Sequence, residues 1–199
     1  MEKKDVIEFF NRLAPGWDDD MIRDDRKIDA IMDYGGVKAG KRVLDVACGT
    51  GVLFPDYLKR KVASITGVDI SPEMAKIASG KFEDEKIEVI CADVQELDFP
   101  EKFDCVMIYN AFPHFPQPEK LLGRLSECLV PGGRITVAHG MSREKIDAHH
   151  LGNAGKVSVG LMPENELAEL MGRWFKVDVV ISDEEKFIVS GLKSGEQCI

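Results

Sequence analysis

Apolar positions along the chain follow two alternating rhythms. Short runs rich in β-branched residues lie at 43–47 (VLDVA), 65–69 (ITGVD), 87–91 (IEVIC), 103–109 (FDCVMIY) and 134–138 (RITVA). Between them apolar residues recur at helical spacing, and such alternation is the signature of stacked βαβ units around a parallel sheet. One helix opens at the Ser71 cap with Pro72 in its first turn and carries Met74, Ile77, Ala78 and Phe82. A second starts at Pro118, shows Leu121, Leu122, Leu125 and Leu129 on one face, and is expected to stop at Pro131-Gly132-Gly133. In a third, Pro163 precedes Leu167, Leu170, Met171 and Trp174. The runs 176–182 (KVDVVIS) and 186–192 (KFIVSGL) have only a few acidic residues between them, too few for a crossover helix, so they form a hairpin. The pattern predicts an α/β fold with a seven-stranded sheet, helices on both faces and an antiparallel last strand. Strand order does not follow from the spacing.

Two segments stand outside this alternation. Residues 1–40 read as an N-terminal helical cover, with helices over about 5–34, and 141–160 reads as an insertion after the fifth strand, with a short helix beginning near Ser142. No 20- to 50-residue repeat and no linker tract divides the chain, so its 199 residues are expected to form a single domain.

Composition narrows the function. With 44% apolar and 31% charged residues the chain is globular, and 26 basic against 35 acidic residues give a net charge of −9. That balance lacks the positive field of a nucleic-acid binder, so no nucleic-acid partner is expected. The acidic runs Asp18–Asp20, Glu83–Glu85 and Asp183–Glu185 read as solvated turns or helix ends. The opening MEKKDVIEFF lacks the apolar run of a signal peptide, no stretch is apolar enough for a membrane span, and the five cysteines contain no C-x-x-C pair. A cytoplasmic protein with reduced thiols and no membrane association is expected.

Candidate chemistry gathers at strand ends. The first strand runs into Cys48-Gly49-Thr50-Gly51, followed by a helix with Pro55 near its start, and such a turn lets an anionic ligand approach the backbone. A dinucleotide fingerprint needs a third glycine where Phe54 stands. Asp69 ends the second strand 18 residues past Gly51, placed to accept ribose hydroxyls or to act as a helix N-terminal acid beside Ser71. Asp93 ends the third strand, placed to accept an adenine amine while Val94 offers its N–H. His114 follows the fourth strand, His139 ends the fifth, and His149 and His150 lie in the insertion. Histidine takes a proton near neutral pH, which makes these candidate bases, while no H-x-x-x-H or His–carboxylate spacing supports a metal.

The ordered segments VLDVACGTG, GVDISPEM, ICADVQELDF, FDCVMIYNAF and LVPGGRITV resemble the successive motifs of the class I S-adenosylmethionine-dependent methyltransferases over about residues 40–192. The opening FFNRLAPGWDD is similar to small-molecule members such as the quinone-biosynthesis enzymes. The resemblance implies a Rossmann-like sheet of order 3-2-1-4-5-7-6. It also implies a cofactor site with Asp45, Ala47, Gly49 and Gly51 around the methionine part, Asp69 and Ile70 at the ribose, Asp93 and Val94 at the adenine, and Asn110 flanking the methyl region. Methyl transfer to a small-molecule acceptor, leaving S-adenosylhomocysteine, is the expected function. A protein or RNA methyltransferase and a non-catalytic cofactor-binding regulator are the alternatives. His139 or His114 is the expected base or substrate anchor, and Trp17, Arg143, His149 and His150 are expected at the acceptor.

Overall fold

The computed structural model describes residues 1–19, 21–150 and 155–194, with His149 and His150 described by backbone alone. The seven strands are β1 Arg42–Val46, β2 Ser64–Asp69, β3 Ile87–Cys91, β4 Phe103–Tyr109, β5 Leu129–His139, β6 Phe175–Ser182 and β7 Phe187–Lys193. They form one sheet of order β3-β2-β1-β4-β5-β7-β6, in which β7 alone runs antiparallel to its neighbours. Seven helices are described: α1 Lys3–Leu13, α2 Asp25–Tyr34, α3 Phe54–Lys59, α4 Pro72–Lys81, α5 Pro118–Cys128, α6 Arg143–His150 and α7 Glu164–Met171.

Side-chain alternation along the central strands explains why both faces are covered. Leu44, Val46, Val106 and Ile108 meet Leu121, Leu122 and Leu125 of α5 and Leu167 and Met171 of α7 on one face. Val43, Cys105 and Met107 meet Ile28, Ile31 and Met32 of α2 and Phe54 and Tyr57 of α3 on the other. Local signals set the ends. Ser71 Oγ accepts the Met74 N–H at the start of α4, Asp24 accepts the N–H groups of Arg26 and Lys27 at the start of α2, and Asp183 Oδ1 accepts those of Glu185 and Lys186 in the β6–β7 turn.

Two expectations shift. Pro131-Gly132-Gly133 does not stop α5, which already ends at Cys128. Leu129 enters β5 directly and pairs with Phe103, and an irregularity containing Gly132 at φ 73° separates that pair from Cys105↔Arg134. Trp174 lies beyond α7 and packs over Gly123 of α5, where a Cβ would rest in ordinary contact with its ring at 3.4 Å. Among the described residues no helix is long and apolar enough to cross a membrane.

Candidate active site

The carboxyl ends of β1 to β4 point to one edge of the sheet, where open α/β folds bind ligands. Leaving β1, the chain turns sharply, with Ala47, Gly49 and Gly51 at φ 54°, 57° and 79°. A Cβ on Gly49 would meet nothing within 4 Å, so its outward side is open, whereas one on Gly51 would lie 2.7 Å from the Phe54 ring. Gly51 is thus kept bare by packing behind the turn, and Gly49 by the conformation of the turn itself.

Asp69 organises the next two turns. Its Oδ2 accepts the Gly49 N–H and its Oδ1 the Ser71 N–H, both at 2.8 Å. Burial raises the Asp69 pKa while these two bonds oppose the rise. Asp93 accepts the Gln95 N–H at 2.9 Å and pairs with Lys3 Nζ at 2.6 Å. Despite its partial burial, the bonds from Lys3 and Gln95 lower its pKa. Asn110, at φ 54°, accepts the Gly140 N–H through Oδ1 and so ties the ends of β4 and β5 together.

A cavity of about 840 Å³ lies over this edge, a size suited to a cofactor together with a small molecule. Its lining includes Ala47, Gly49, Asp69, Ile70, Asp93, Val94 and Asn110 from the strand ends, together with His114 and Trp17. Phe10 packs edge-on against both of these, its ring centroid 5.0 Å from His114 and 5.8 Å from Trp17. The Val157 carbonyl lies 2.6 Å from His114 Nδ1. Because a carbonyl only accepts, that nitrogen carries the proton, and in the neutral ring the lone pair belongs to Nε2.

Other residues singled out in the sequence lie off this lining. Asp45 sits beneath the turn, 2% exposed, and among the described residues its Oδ2 has no hydrogen-bond partner. Burial pushes its pKa up to about 8, against a smaller opposing effect of Tyr57, and the charge of Asp69 adds to the rise. His139 is buried in β5 against the Phe187 ring. Arg143 faces Asp147 one turn along α6 at 3.7 Å. The side chains of His149 and His150, together with Gly152 and Cys198, lie outside the described residues. No group of three or more His, Cys, Asp or Glu placed to hold a metal occurs among the described residues.

Asp18 departs from expectation. It is not merely a solvated turn residue, because it accepts from Thr50 Oγ1 and Lys81 Nζ, each at 2.6 Å. Lys3, Asn11 and Arg23 were not singled out either, since an isolated polar residue near an N-terminus carries no periodic signal. Arg23 donates to the Val52 carbonyl at 2.7 Å and pairs with the buried Asp56.

Residues 43–133 match the family model described as a methyltransferase domain. This stretch carries the chain's likeness to the methyltransferases. The chain is 42% identical over 110 residues to a demethylmenaquinone methyltransferase of Thermus thermophilus, a match covering 53% of this chain and 50% of that protein. It is 28% identical over 116 residues to a ubiquinone biosynthesis O-methyltransferase of Aeromonas salmonicida, covering 56% of this chain and 48% of that one. The chain thus spans about half the length of these curated relatives. Its fold matches magnesium protoporphyrin IX methyltransferase from Synechocystis PCC 6803, solved with bound S-adenosylhomocysteine, with a TM-score of 0.72 and 18% identity over 96% of this chain and 99% of that one. That likeness implies S-adenosylmethionine as the cofactor. The open side of Gly49 and the two acids at successive strand ends, all on the cavity lining, fit S-adenosylmethionine.

Proposed function

We propose that this protein transfers the methyl group of S-adenosylmethionine to a small aromatic acceptor. The observation that carries the reading is the single cavity lined both by the turns after β1, β2 and β3 and by Phe10, Trp17 and His114. In this reading Ala47 and Gly49 flank the methionine part, with Asp45 and Gly51 shaping the turn from behind. Asp69 and Ile70 take the ribose, Asp93 and Val94 take the adenine, and Asn110 borders the methyl region.

The cofactor supplies an electrophilic methyl group on a sulfonium. An acceptor lone pair forms the new bond to that carbon as the carbon–sulfur bond breaks, its electrons staying on sulfur, and an acceptor O–H or N–H then loses its proton. The residues contribute mainly alignment and exclusion of water, which together supply roughly 7 to 11 kcal/mol of a barrier when reactants are held in line. His114 is the better-placed base, since it lines the cavity and the Val157 carbonyl leaves its lone pair on Nε2. His139, buried in β5, supports the edge from behind.

The aromatic wall supports a planar acceptor, in keeping with the quinone-biosynthesis names of the curated relatives. The insertion serves the acceptor indirectly: its Val159 N–H donates to the Pro113 carbonyl and its Val157 carbonyl receives His114, so it braces the turn after β4. Arg143, paired with Asp147, would act through that brace. A reducing, cytoplasmic setting belongs to the same reading, supported by an odd number of cysteines without a C-x-x-C pair. Incubation with methyl-labelled S-adenosylmethionine and a fractionated metabolite extract tests the proposal. Label should pass to a small aromatic product, and label found only in protein or RNA, or nowhere, overturns it.

A further inference from the structure

The N-terminal helix is held unlike the other large helices of the molecule. None of the 11 residues of α1 is fully buried, whereas α2 buries Ile28, Ile31 and Met32 in the core. The apolar face of α1, formed by Val6, Phe10 and Leu13, is turned to the cavity. Besides the Phe10 contact with His114 and the small buried Ala14, what fastens this segment to the body is a row of polar ties, one to each of the three turns that bound the cofactor side of the cavity.

Asp18 accepts from Thr50 Oγ1 in the turn after β1, and Lys81, which pairs with Asp18, also donates to the Thr50 carbonyl at 3.3 Å. Asn11 Oδ1 accepts from Ser71 Oγ at 2.7 Å and from the Glu73 N–H at 3.3 Å, in the turn after β2. Lys3 Nζ pairs with Asp93 at 2.6 Å and Glu96 at 2.7 Å, in the turn after β3. No other segment of the chain touches all three turns through side chains in this way among the described residues.

We propose that residues 3–18 form a strap that closes over bound S-adenosylmethionine, with Lys3, Asn11 and Asp18 as positioning residues, each setting one cofactor-binding turn. The inference rests on the cofactor reading above. Polar ties near the surface contribute little individually, and a helix without buried residues opens at low cost, so the strap is the part of the site that yields to admit the ligand. A ligand in the cavity offers Val6, Phe10 and Leu13 the apolar contact that the core does not, and so favours the closed arrangement. Cofactor release and strap opening are then one event.

Hydrogen exchange on the full chain with and without S-adenosylhomocysteine tests this. Peptides over residues 3–13 should gain protection together with those over 47–52, 69–74 and 92–96. In stopped flow, the Lys3→Met, Asn11→Ala, Asp18→Asn combination should release S-adenosylhomocysteine about tenfold faster than the wild type. Raising salt from about 0.1 M to about 1 M should speed release from the wild type and leave the combined variant nearly unchanged, because the screened pairs are already gone. Asn11→Ala alone, which leaves every charge in place, provides a milder variant if the combination does not fold, and its release should also be faster. Protection confined to the three turns, or release from the folded variants at the wild-type rate, overturns the strap and leaves the cofactor reading standing. Protection nowhere overturns both.

Discussion

Asp69 Oδ2 accepts the Gly49 N–H at 2.8 Å, so the acid that ends β2 holds the glycine turn that follows β1. The same carboxylate takes the Ser71 N–H and thereby sets the start of α4. One side chain joins two turns of the cavity while retaining lone pairs on both oxygens for a ligand. Asp69→Ala should weaken S-adenosylhomocysteine binding by roughly 1.5 to 3 kcal/mol, as expected for loss of bonds to a charged acceptor. Calorimetry on the folded variant decides it, and unchanged affinity would remove Asp69 from the site.

Gly49 has a left-handed backbone and nothing within 4 Å of the place a Cβ would take. An added methyl group meets no protein atom there and projects into the open side of the turn. Gly49→Ala should cost about 1 kcal/mol of stability through its positive φ. Its loss of S-adenosylhomocysteine affinity should exceed that cost. Equal affinity in wild type and variant would place the ligand elsewhere.

The sheet and its edge were legible because they rest on local chemistry. Alternating apolar runs, the Ser71 cap, the prolines that open α4 and α5 and the glycine turn each report on a few neighbouring residues, and family resemblance supplied the strand order. Reaching Asp69 and Asp93 needed only the knowledge that parallel strands end together. The ties of Lys3, Asn11 and Asp18 join positions 93, 60 and 32 residues apart, and no periodicity encodes such pairs. Asp18 in particular sits in an acidic run that composition alone assigns to solvent. The start of β5 was missed for a related reason: Pro131-Gly132-Gly133 reads locally as a stop, but Leu129 is drawn into the sheet by pairing with Phe103.

His114, in the turn after β4, and Trp17 line the same cavity as the turns after β1 to β3, with Phe10 packed against both. With an acceptor identified, His114→Gln should lower kcat at least about tenfold near neutral pH if the histidine takes the acceptor proton, and the loss should shrink as pH rises and the acceptor ionises unaided. Trp17→Ala should instead raise KM with little change in kcat, the mark of lost ground-state contact. A His114→Gln enzyme with wild-type kcat from about pH 6 to 9 would make His114 a wall residue only.

Asp45 is the next-to-last residue of β1, between Gly67 of β2 and Met107 of β4, with burial raising its pKa from 3.8 to about 8. An unfolded chain returns this carboxyl to its ordinary range, so between there and about 8 the folded protein holds a proton that the unfolded chain has released. Stability from this residue is complete at acid pH, declines as pH rises through that window, and is flat above it. The decline is at most about 1.4 kcal/mol per pH unit, the slope that a single bound proton imposes. Asp45→Asn is nearly isosteric and cannot ionise, which removes the dependence. In urea unfolding of the ligand-free protein, the variant should gain on the wild type from about pH 5 to about 8 and keep a constant lead at higher pH. Asp69 is present in both proteins, and because its charge adds to the Asp45 rise, the difference between the curves reports Asp45 together with its coupling to Asp69. Parallel stability curves across that range would show that Asp45 is ionised in the folded protein and that its charge is compensated at the floor of the glycine turn.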